Sequence, residues 1–337
     1  MKRNFTVLLI FLAILLAACS NSTPAPATPT TPQGPTPTQA PTPTVAATAT
    51  STPGKAFLVA PDPAAALAVS LKARLSELAT AQGLVVESRA SLQPSDLAPN
   101  VRIVVLLAAP ANLNDLLVAA PRTQFLLIGD VSASPQPNLS VIRRDPNRVA
   151  FVAGYVATVI STDWRSAALL PDSPASLQQA FLNGGSYWCG RCAPIHGPIV
   201  IFPLVSALPA NSSLGAWQDA LTRLKASILE TLYVDPTISS PDLLKLLGGQ
   251  TMILVGGQTP ADETLRQHWA ATVSSDVMAP LSDLWPGLLA GKGGQSAAAR
   301  VTLSDVNPAL FSPGRQSLTQ QVINSIAAGT LDALTPQ

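Results

Sequence analysis

Two cysteines in the second half of the chain, Cys189 and Cys192, have the spacing of a dithiol that can do redox chemistry. A redox dithiol of this kind opens a helix, because the helix N-terminus lowers the pKa of the first thiol. Here a glycine pair at 184–185 precedes the motif and Pro194 follows it, so the sequence predicts loops on both sides. His196 offers a third ligand for zinc, but a fourth is not evident. A small disulfide that holds the loop is favoured over both alternatives.

A third cysteine, Cys19, follows the segment expected of an export signal. Lys2 and Arg3 precede an apolar run over 7–18, which is too short to span a bilayer and ends in small residues. The sequence therefore predicts a cleaved signal peptide over residues 1–18. Export would place the chain in an oxidising compartment, where a disulfide persists.

The four residues Leu-Ala-Ala-Cys that end at Cys19 resemble the bacterial lipobox. The resemblance implies that Cys19 is lipidated and becomes the first residue of the mature chain. Acyl chains on this cysteine would anchor the protein to the outer face of the cell membrane, or in the periplasm or outer membrane of a host with two membranes. An ordinary signal peptide with an incidental cysteine is the alternative.

Residues 19–54 are predicted to form a disordered tether. From Ser20 to Gly54 the sequence contains no Asp, Glu, Lys or Arg and repeats Pro-Thr and Ala-Thr units. Such a segment has no apolar face to bury and favours an extended, polyproline-II-like chain. At about 3.1 Å per residue it would reach on the order of 100 Å. We expect it to hold a folded domain away from a membrane.

Three aspartates and two aromatic residues are candidates for ligand contacts. Asp62, Asp130 and Asp276 fall at the ends of predicted strands, where a carboxylate either contacts a ligand or caps a helix or turn. Tyr187 and Trp188 lie together in the glycine-rich segment, and only 5% of the chain is aromatic. Their rings either offer a stacking face to a flat ligand or cover a gap between a helix and a sheet.

The composition excludes several classes of function. The chain has 337 residues, a net charge of +1 and only 12% charged residues, which argues against a nucleic-acid partner. Two histidines and three cysteines are too few for a multinuclear metal centre and leave little room for a Ser/His/Asp triad. We therefore expect no metal, no cofactor and no enzymatic activity.

From Lys55 onward, strands and helices alternate. Proline after Asp or Ser marks predicted helix starts at four places: Asp62-Pro63, Asp145-Pro146, Ser173-Pro174 and Ser240-Pro241. The pattern also predicts helices over 174–183, 214–231 and 278–289 and a strand over 199–205. Repeated β-α-β units indicate an α/β protein with mostly parallel sheets, and more than ten predicted strands favour two sheets over one.

Several segments of the chain are similar to the basic-membrane-protein family, whose members are substrate-binding lipoproteins of ABC transporters with a type I periplasmic-binding fold. The similar segments are FLLIGD at 125–130, NLSVI at 138–142, VAFVAGYVA at 149–157, LAG at 289–291, FSPG at 311–314 and AGTLD at 328–332. The resemblance implies two Rossmann-like lobes with parallel sheets, joined by a hinge, that close on a small ligand, commonly a purine nucleoside.

The chain departs from the family pattern in its candidate ligand residues. The loop after the first strand offers Asp62 but no asparagine. Asp276 corresponds to an aspartate that contacts ribose in the family, but the lysine that often follows it has no counterpart before Lys292. Tyr187 or Trp188 would have to replace the family's stacking aromatics.

These observations predict a solute-binding lipoprotein of an ABC importer that binds a nucleoside-like ligand between its lobes and docks on permease subunits. The alternative is a surface sensor or interaction module on the same fold with a degenerate ligand site. Lobe one is expected over residues 55–162 and 278–337, and lobe two over 163–277.

Overall fold

The computed structural model of the protein describes residues 53–129 and 132–336. The predicted signal peptide, the lipidation candidate Cys19, nearly all of the tether and the ligand candidate Asp130 lie outside this range. Within it, none of the helices combines the length and apolar character needed to cross a membrane.

The described residues alternate between strands and helices, as the sequence predicts. The strands are β1 (Gly54–Val59), β2 (Leu84–Arg89), β3 (Val101–Leu106), β4 (Gln124–Gly129), β5 (Leu139–Arg143), β6 (Ser166–Pro171), β7 (Leu204–Leu208), β8 (Thr231–Val234), β9 (Ile253–Gly256), β10 (Trp269–Asp276), β11 (Ser296–Ala298) and β12 (Arg300–Ser304). The α-helices are α1 (Ala66–Thr80), α2 (Leu113–Ala119), α3 (Pro146–Ile160), α4 (Ser176–Cys189), α5 (Leu214–Lys225), α6 (Pro241–Gly248), α7 (Glu263–Gln267), α8 (Met278–Leu289) and α9 (Pro313–Ala327).

The first sheet is parallel throughout and has the strand order β11-β5-β4-β3-β1-β2. Its central strands are buried on both faces, which explains their nearly continuous runs of Val, Ile and Leu. On one face, Leu58 packs in a core with Leu71 of α1 and Leu281 of α8. On the other face, Phe57 packs in a core with Leu116 of α2.

The second sheet has the order β12-β10-β9-β8-β6-β7, and only the pairing of β10 with β12 is antiparallel. One face packs against α3, α4 and α9, with Phe151, Phe181 and Ile323 in the shared core. The other face packs against α5 and α6 through Trp217 and Leu243. The α/β architecture with two mostly parallel sheets is therefore confirmed.

The structure distributes two helices differently from the expected lobe boundaries. Residues 55–162 and 278–337 are expected to form lobe one, yet α3 and α9 pack on the second sheet, and the strand β12 also belongs to that sheet. The reason is the apolar character of α3, which is buried on every side from Ala150 to Ile160 and so needs helices as well as a sheet around it. The chain passes from the elements around one sheet to those around the other after β5, after β10 and between β11 and β12.

Helix starts follow the predicted capping at some positions and not at others. The Asp145 carboxylate accepts hydrogen bonds from the backbone N–H groups of Asn147 and Arg148 (3.0 and 3.4 Å), so it caps α3. Ser240 caps α6 in the same way. The predictions at Asp62-Pro63 and Ser173-Pro174 were wrong, because α1 and α4 begin later, at 66 and 176, without a side-chain cap.

Two predicted element boundaries in the second half were also wrong. The helix expected over 214–231 ends at Lys225, and the residues that follow turn into β8, a strand that the periodicity did not reveal. The strand expected over 199–205 begins only at Leu204, as β7.

Candidate functional site

A cavity of about 590 Å³ lies between the two sheets. Its walls are the segments that follow the strands, at the carboxyl ends where α/β proteins bind ligands. The first sheet contributes the start of α1 and the residue after β5, and the second sheet contributes the segments after β6, β7, β8 and β9. The lining residues are Ala66, Leu67, Ser70, Arg144, Pro146, Val149, Pro171, Ser173, Pro174, Leu177, Ala210, Asp235, Pro236, Thr237, Gly257, Gln258, Val273, Ser274, Ser275 and Met278.

Asp235 is the acidic residue of this cavity, and it follows β8 directly. Only 7% of its surface is exposed. Its backbone N–H donates to the carbonyl of Leu169 in β6 (3.2 Å), which fixes it to the second sheet. Its Oδ1 accepts hydrogen bonds from the backbone N–H and the hydroxyl of Thr237, at 2.9 and 2.6 Å. One oxygen of the carboxylate is therefore held by the loop itself.

The surroundings of Asp235 shift its ionisation. Burial raises the pKa of its carboxyl group, and this effect outweighs the hydrogen bonds from Thr237 and the positive charge of Arg144, which lower it. Tyr233, two residues earlier and within β8, is completely buried. Burial, and then the charge of Asp235, raises the pKa of the Tyr233 phenol well above its usual value.

Arg144 is the basic residue of the cavity and belongs to the opposite wall. It follows β5, and its backbone N–H donates to the carbonyl of Gly129 in β4 (2.8 Å). Its side chain is exposed. Arg144 and Asp235 follow strands of different sheets and, within the described part of the chain, make no direct ion pair, although the charge of Arg144 still acts on the carboxyl group of Asp235.

The rest of the lining combines neutral polar groups with aliphatic side chains. Ser70, Gln258 and Ser274 supply hydroxyl and amide groups, while Leu67 and Met278 supply apolar surface. Within residues 53–129 and 132–336, no aromatic side chain lines the cavity. The arrangement can bind a small molecule through a few polar contacts and an apolar wall.

The structure places two of the candidate aspartates, Asp62 and Asp276, outside this lining. Asp62 is exposed, and its Oδ1 accepts a hydrogen bond from the backbone N–H of Ala64 (3.0 Å). Asp276 lies beside the cavity, between the lining residues Ser275 and Met278. Its Oδ1 accepts hydrogen bonds from the N–H groups of Met278 and Ala279 (2.8 and 3.4 Å), so this carboxylate holds the start of α8.

Tyr187 and Trp188 lie near the end of α4, away from the cavity. The cavity residue Leu177 is ten positions earlier, about 15 Å along the helix. The Tyr187 ring is 5.9 Å from that of Phe151, and the Trp188 ring is 5.8 Å from that of Tyr155, which both belong to α3. The two aromatic residues thus cover the contact between α3 and α4, and the structure does not bring them together with Asp62 or Asp276.

Cys189 and Cys192 form a disulfide with a Cα–Cα distance of 5.3 Å. The prediction of a loop before the motif was wrong, because the glycine pair at 184–185 and Cys189 itself belong to α4. The motif therefore ends a helix, whereas a redox dithiol opens one. No group of three or more potential metal ligands occurs among the residues the structure describes.

No protein-family model and no curated protein sequence matches the chain. Several solved structures are similar to it. An ABC transporter solute-binding protein from Conexibacter woesei is 16% identical, with a TM-score of 0.63 over 83% of this chain and 98% of its own. A solute-binding protein of an ABC transporter from Aeropyrum pernix is 12% identical, with a TM-score of 0.61 over 85% and 94%.

A LacI family transcriptional regulator from Arthrobacter is also similar, at 18% identity and a TM-score of 0.52 over 76% of this chain and 100% of its own. At these identities the likeness is one of fold. The chain has the two-lobed type I periplasmic-binding fold, and its cavity lies between the lobes.

Proposed function

We propose that the chain is a membrane-anchored solute-binding lipoprotein of an ABC importer, with its ligand held in the cavity between the lobes. The observation that carries the proposal is this cavity, which is built from strand ends of both sheets and has a buried carboxylate, Asp235, in one wall. The likeness to two solute-binding proteins of ABC transporters supports the same role.

The proposal includes the N-terminal features of the sequence. Lipid on Cys19 would anchor the chain to the outer face of the membrane, and residues 19–54 would give the folded part freedom to reach permease subunits. The permease and a small molecule are the proposed partners, and neither nucleic acid nor an enzymatic substrate is among them.

The ligand is proposed to be a small polar molecule. Membership of the basic-membrane-protein family, and a nucleoside ligand with it, remain what the sequence resemblance implies. The aromatic candidates for base stacking, Tyr187 and Trp188, lie away from the cavity. Nucleosides are therefore one class to test, beside sugars and amino acids.

Thermal unfolding of the full chain with a panel of these three classes and of small peptides tests the proposal. A ligand that binds only the native state stabilises it by about 2.7 kcal/mol when its concentration is 100 times the Kd. We expect at least one member of the panel to raise the Tm as its concentration rises. If every class on the panel, small peptides included, leaves the Tm unchanged, solute binding in this cavity is refuted.

A surface sensor or interaction module is the second candidate. It is favoured by the absence of Asp62, Tyr187 and Trp188 from the described cavity lining, since the resemblance would assign ligand contacts to them. Capture of permease subunits by the immobilised chain, in a ligand-dependent manner, would refute this candidate. Capture of other partners regardless of ligand would support it.

A further inference from the structure

Two opposite charges, one from each sheet, line the cavity between the lobes. Of the described residues that line it, Arg144 and Asp235 are the charged ones. Arg144 is fixed to the first sheet through Gly129, and Asp235 to the second sheet through Leu169. They make no ion pair with each other, although the charge of Arg144 still lowers the pKa of Asp235. A ligand between them would meet a cation on one side and an anion on the other.

Asp235 has one carboxylate oxygen available to a ligand. Thr237 occupies Oδ1 through both its N–H and its hydroxyl, whereas Oδ2 has no hydrogen-bond partner among residues 53–129 and 132–336. With 7% of its surface exposed, Asp235 has little water left around it. A buried carboxylate is costly unless a donor compensates it, and a cationic donor compensates both its charge and its hydrogen bond.

Arg144 offers the complementary group. Its side chain is exposed, and in the described part of the chain its guanidinium has no carboxylate partner. A guanidinium presents a planar set of N–H donors that matches a carboxylate in a bidentate manner. The anionic end of a ligand is therefore expected on the wall of the first sheet.

Aliphatic side chains line the same cavity as the two charges. Leu67 belongs to α1, Leu177 to α4 and Met278 to α8, so both lobes contribute apolar surface. The cavity volume of about 590 Å³ lies within the range of sites that bury a molecule larger than a single small amino acid. An apolar body with a charged group at each end matches this lining.

We infer that the cavity selects zwitterionic ligands with an apolar body, of the size of a dipeptide, whose ammonium group binds Asp235 and whose carboxylate binds Arg144. This inference rests on the proposed solute-binding function and specifies its ligand class. A neutral nucleoside or sugar would leave both charges without a counter-charge when the lobes close around it.

Calorimetric titration of the full chain tests the inference with probes that differ in one charge. The dipeptide Leu-Leu is the zwitterion, N-acetyl-Leu-Leu lacks the ammonium group, and Leu-Leu-amide lacks the carboxylate. Adenosine, guanosine and glucose are the neutral probes. We expect Leu-Leu to bind and each blocked analogue to bind at least about tenfold more weakly, the loss typical of one charge-assisted contact.

Arg144→Gln and Asp235→Asn should each reduce the affinity for Leu-Leu at least about tenfold, since each removes one charged partner. Arg122→Gln and Asp283→Asn make the same chemical changes at exposed positions outside the cavity and should leave the affinity unchanged. The blocked analogues probe the unaltered chain, so the result does not depend on how the variants fold.

The outcomes separate this inference from the proposed function. Binding of adenosine, guanosine or glucose without any binding of Leu-Leu would overturn the zwitterion inference and retain solute binding. Equal affinity for Leu-Leu and both blocked analogues would also overturn it. If no probe of any class binds, the proposed function fails together with the inference.

Discussion

Gly154 of α3 and Gly184 of α4 lie where these two helices cross, and each meets the backbone of the opposite helix. A Cβ atom on Gly154 would overlap the carbonyl oxygen of Phe181, and one on Gly184 would overlap the carbonyl oxygen of Phe151. The missing side chains let the helix backbones approach closely. Because the N-terminal parts of both helices line the cavity, through Val149 and Leu177, this crossing also sets the shape of the proposed site.

Gly184→Ala should therefore destabilise the protein strongly. The atoms that the new methyl group would meet are backbone atoms of α3, which cannot rotate away as a side chain would. We expect a loss of about 3 kcal/mol in the free energy of unfolding, the upper range for overpacking. Urea denaturation measures it.

Gly314→Ala is the matched control, because Gly314 lies in the first turn of α9 with open space around its Cα. Alanine favours a helix over glycine, so this variant should be neutral or more stable by up to about 1 kcal/mol. Equal effects of the two substitutions would show that the helix crossing does not depend on Gly184.

The glycines of α4 show which parts of this fold can be predicted from the sequence and which cannot. The α/β class, the two sheets and the cap at Asp145 follow from local periodicity and capping chemistry. The glycine pair at 184–185 is typical of a loop when taken alone, and only the opposite helix explains why it lies in α4. Asp235 was not predicted because β8, the strand that it follows, begins only where the predicted helix over 214–231 ends, and the sequence pattern did not indicate a strand there.

Asp235→Asn should stabilise the protein at neutral pH. Burial raises the pKa of this carboxyl group in the folded state, so the folded protein holds the proton more tightly than the unfolded chain does. The stability of the wild type therefore falls as the pH rises from the unfolded pKa through the folded one. Asparagine keeps the Oδ1 acceptor for Thr237 but carries no charge. We therefore expect the free energy of unfolding to rise by about 1 kcal/mol at pH 7.

This gain should shrink as the pH falls and should vanish well below about 4, where the carboxyl group of Asp235 is neutral in both states. The phenol of Tyr233, whose pKa burial raises, stays neutral over this range. Asp283→Asn, at an exposed position, is the control, and its free energy of unfolding should stay within about 0.5 kcal/mol of that of the wild type. A stability loss in Asp235→Asn that grows with pH would contradict the argument.

Arg165→Ala should destabilise the segment that follows the disulfide. The guanidinium of Arg165, 4% exposed, pairs with Asp163 (Nε–Oδ2 3.3 Å) and donates to the carbonyl oxygens of Ser227 (2.9 Å) and His196. Asp163 in turn accepts a hydrogen bond from the N–H of Ile195 (3.0 Å). Removing the arginine leaves these acceptors without their donor, so the free energy of unfolding should fall by more than the loss of an exposed ion pair would cause.

Arg266→Gln provides the comparison for Arg165→Ala, since Arg266 forms an exposed ion pair with Asp305 (3.5 Å). Exposed ion pairs contribute little to stability, so we expect the free energy of unfolding to fall by less than about 1 kcal/mol. Thermal unfolding of both variants ranks them, and an equal Tm in the two would refute the role of Arg165 as the anchor of this segment.

Trp188→Ala should lower stability without changing ligand affinity. The Trp188 ring meets Tyr155 edge-on (81°, 5.8 Å), and 39% of the residue is exposed. Loss of this aromatic pair and of the partly buried ring should lower the free energy of unfolding by about 1–2 kcal/mol. Because Trp188 covers the α3–α4 contact and does not line the cavity, the Kd for Leu-Leu should stay within about twofold of the wild type.

Leu177→Ala is the informative partner of Trp188→Ala, because it shortens a side chain of the same helix at the end that lines the cavity. It removes apolar contact from the proposed ligand body, so the Kd for Leu-Leu should rise by about tenfold or more. If Trp188→Ala weakened binding as much as Leu177→Ala, the result would support a stacking contact between the aromatic residues and the ligand, one of the two roles that the sequence predicts for them. The proposed site would then have to extend along α4, well beyond the cavity between the lobes.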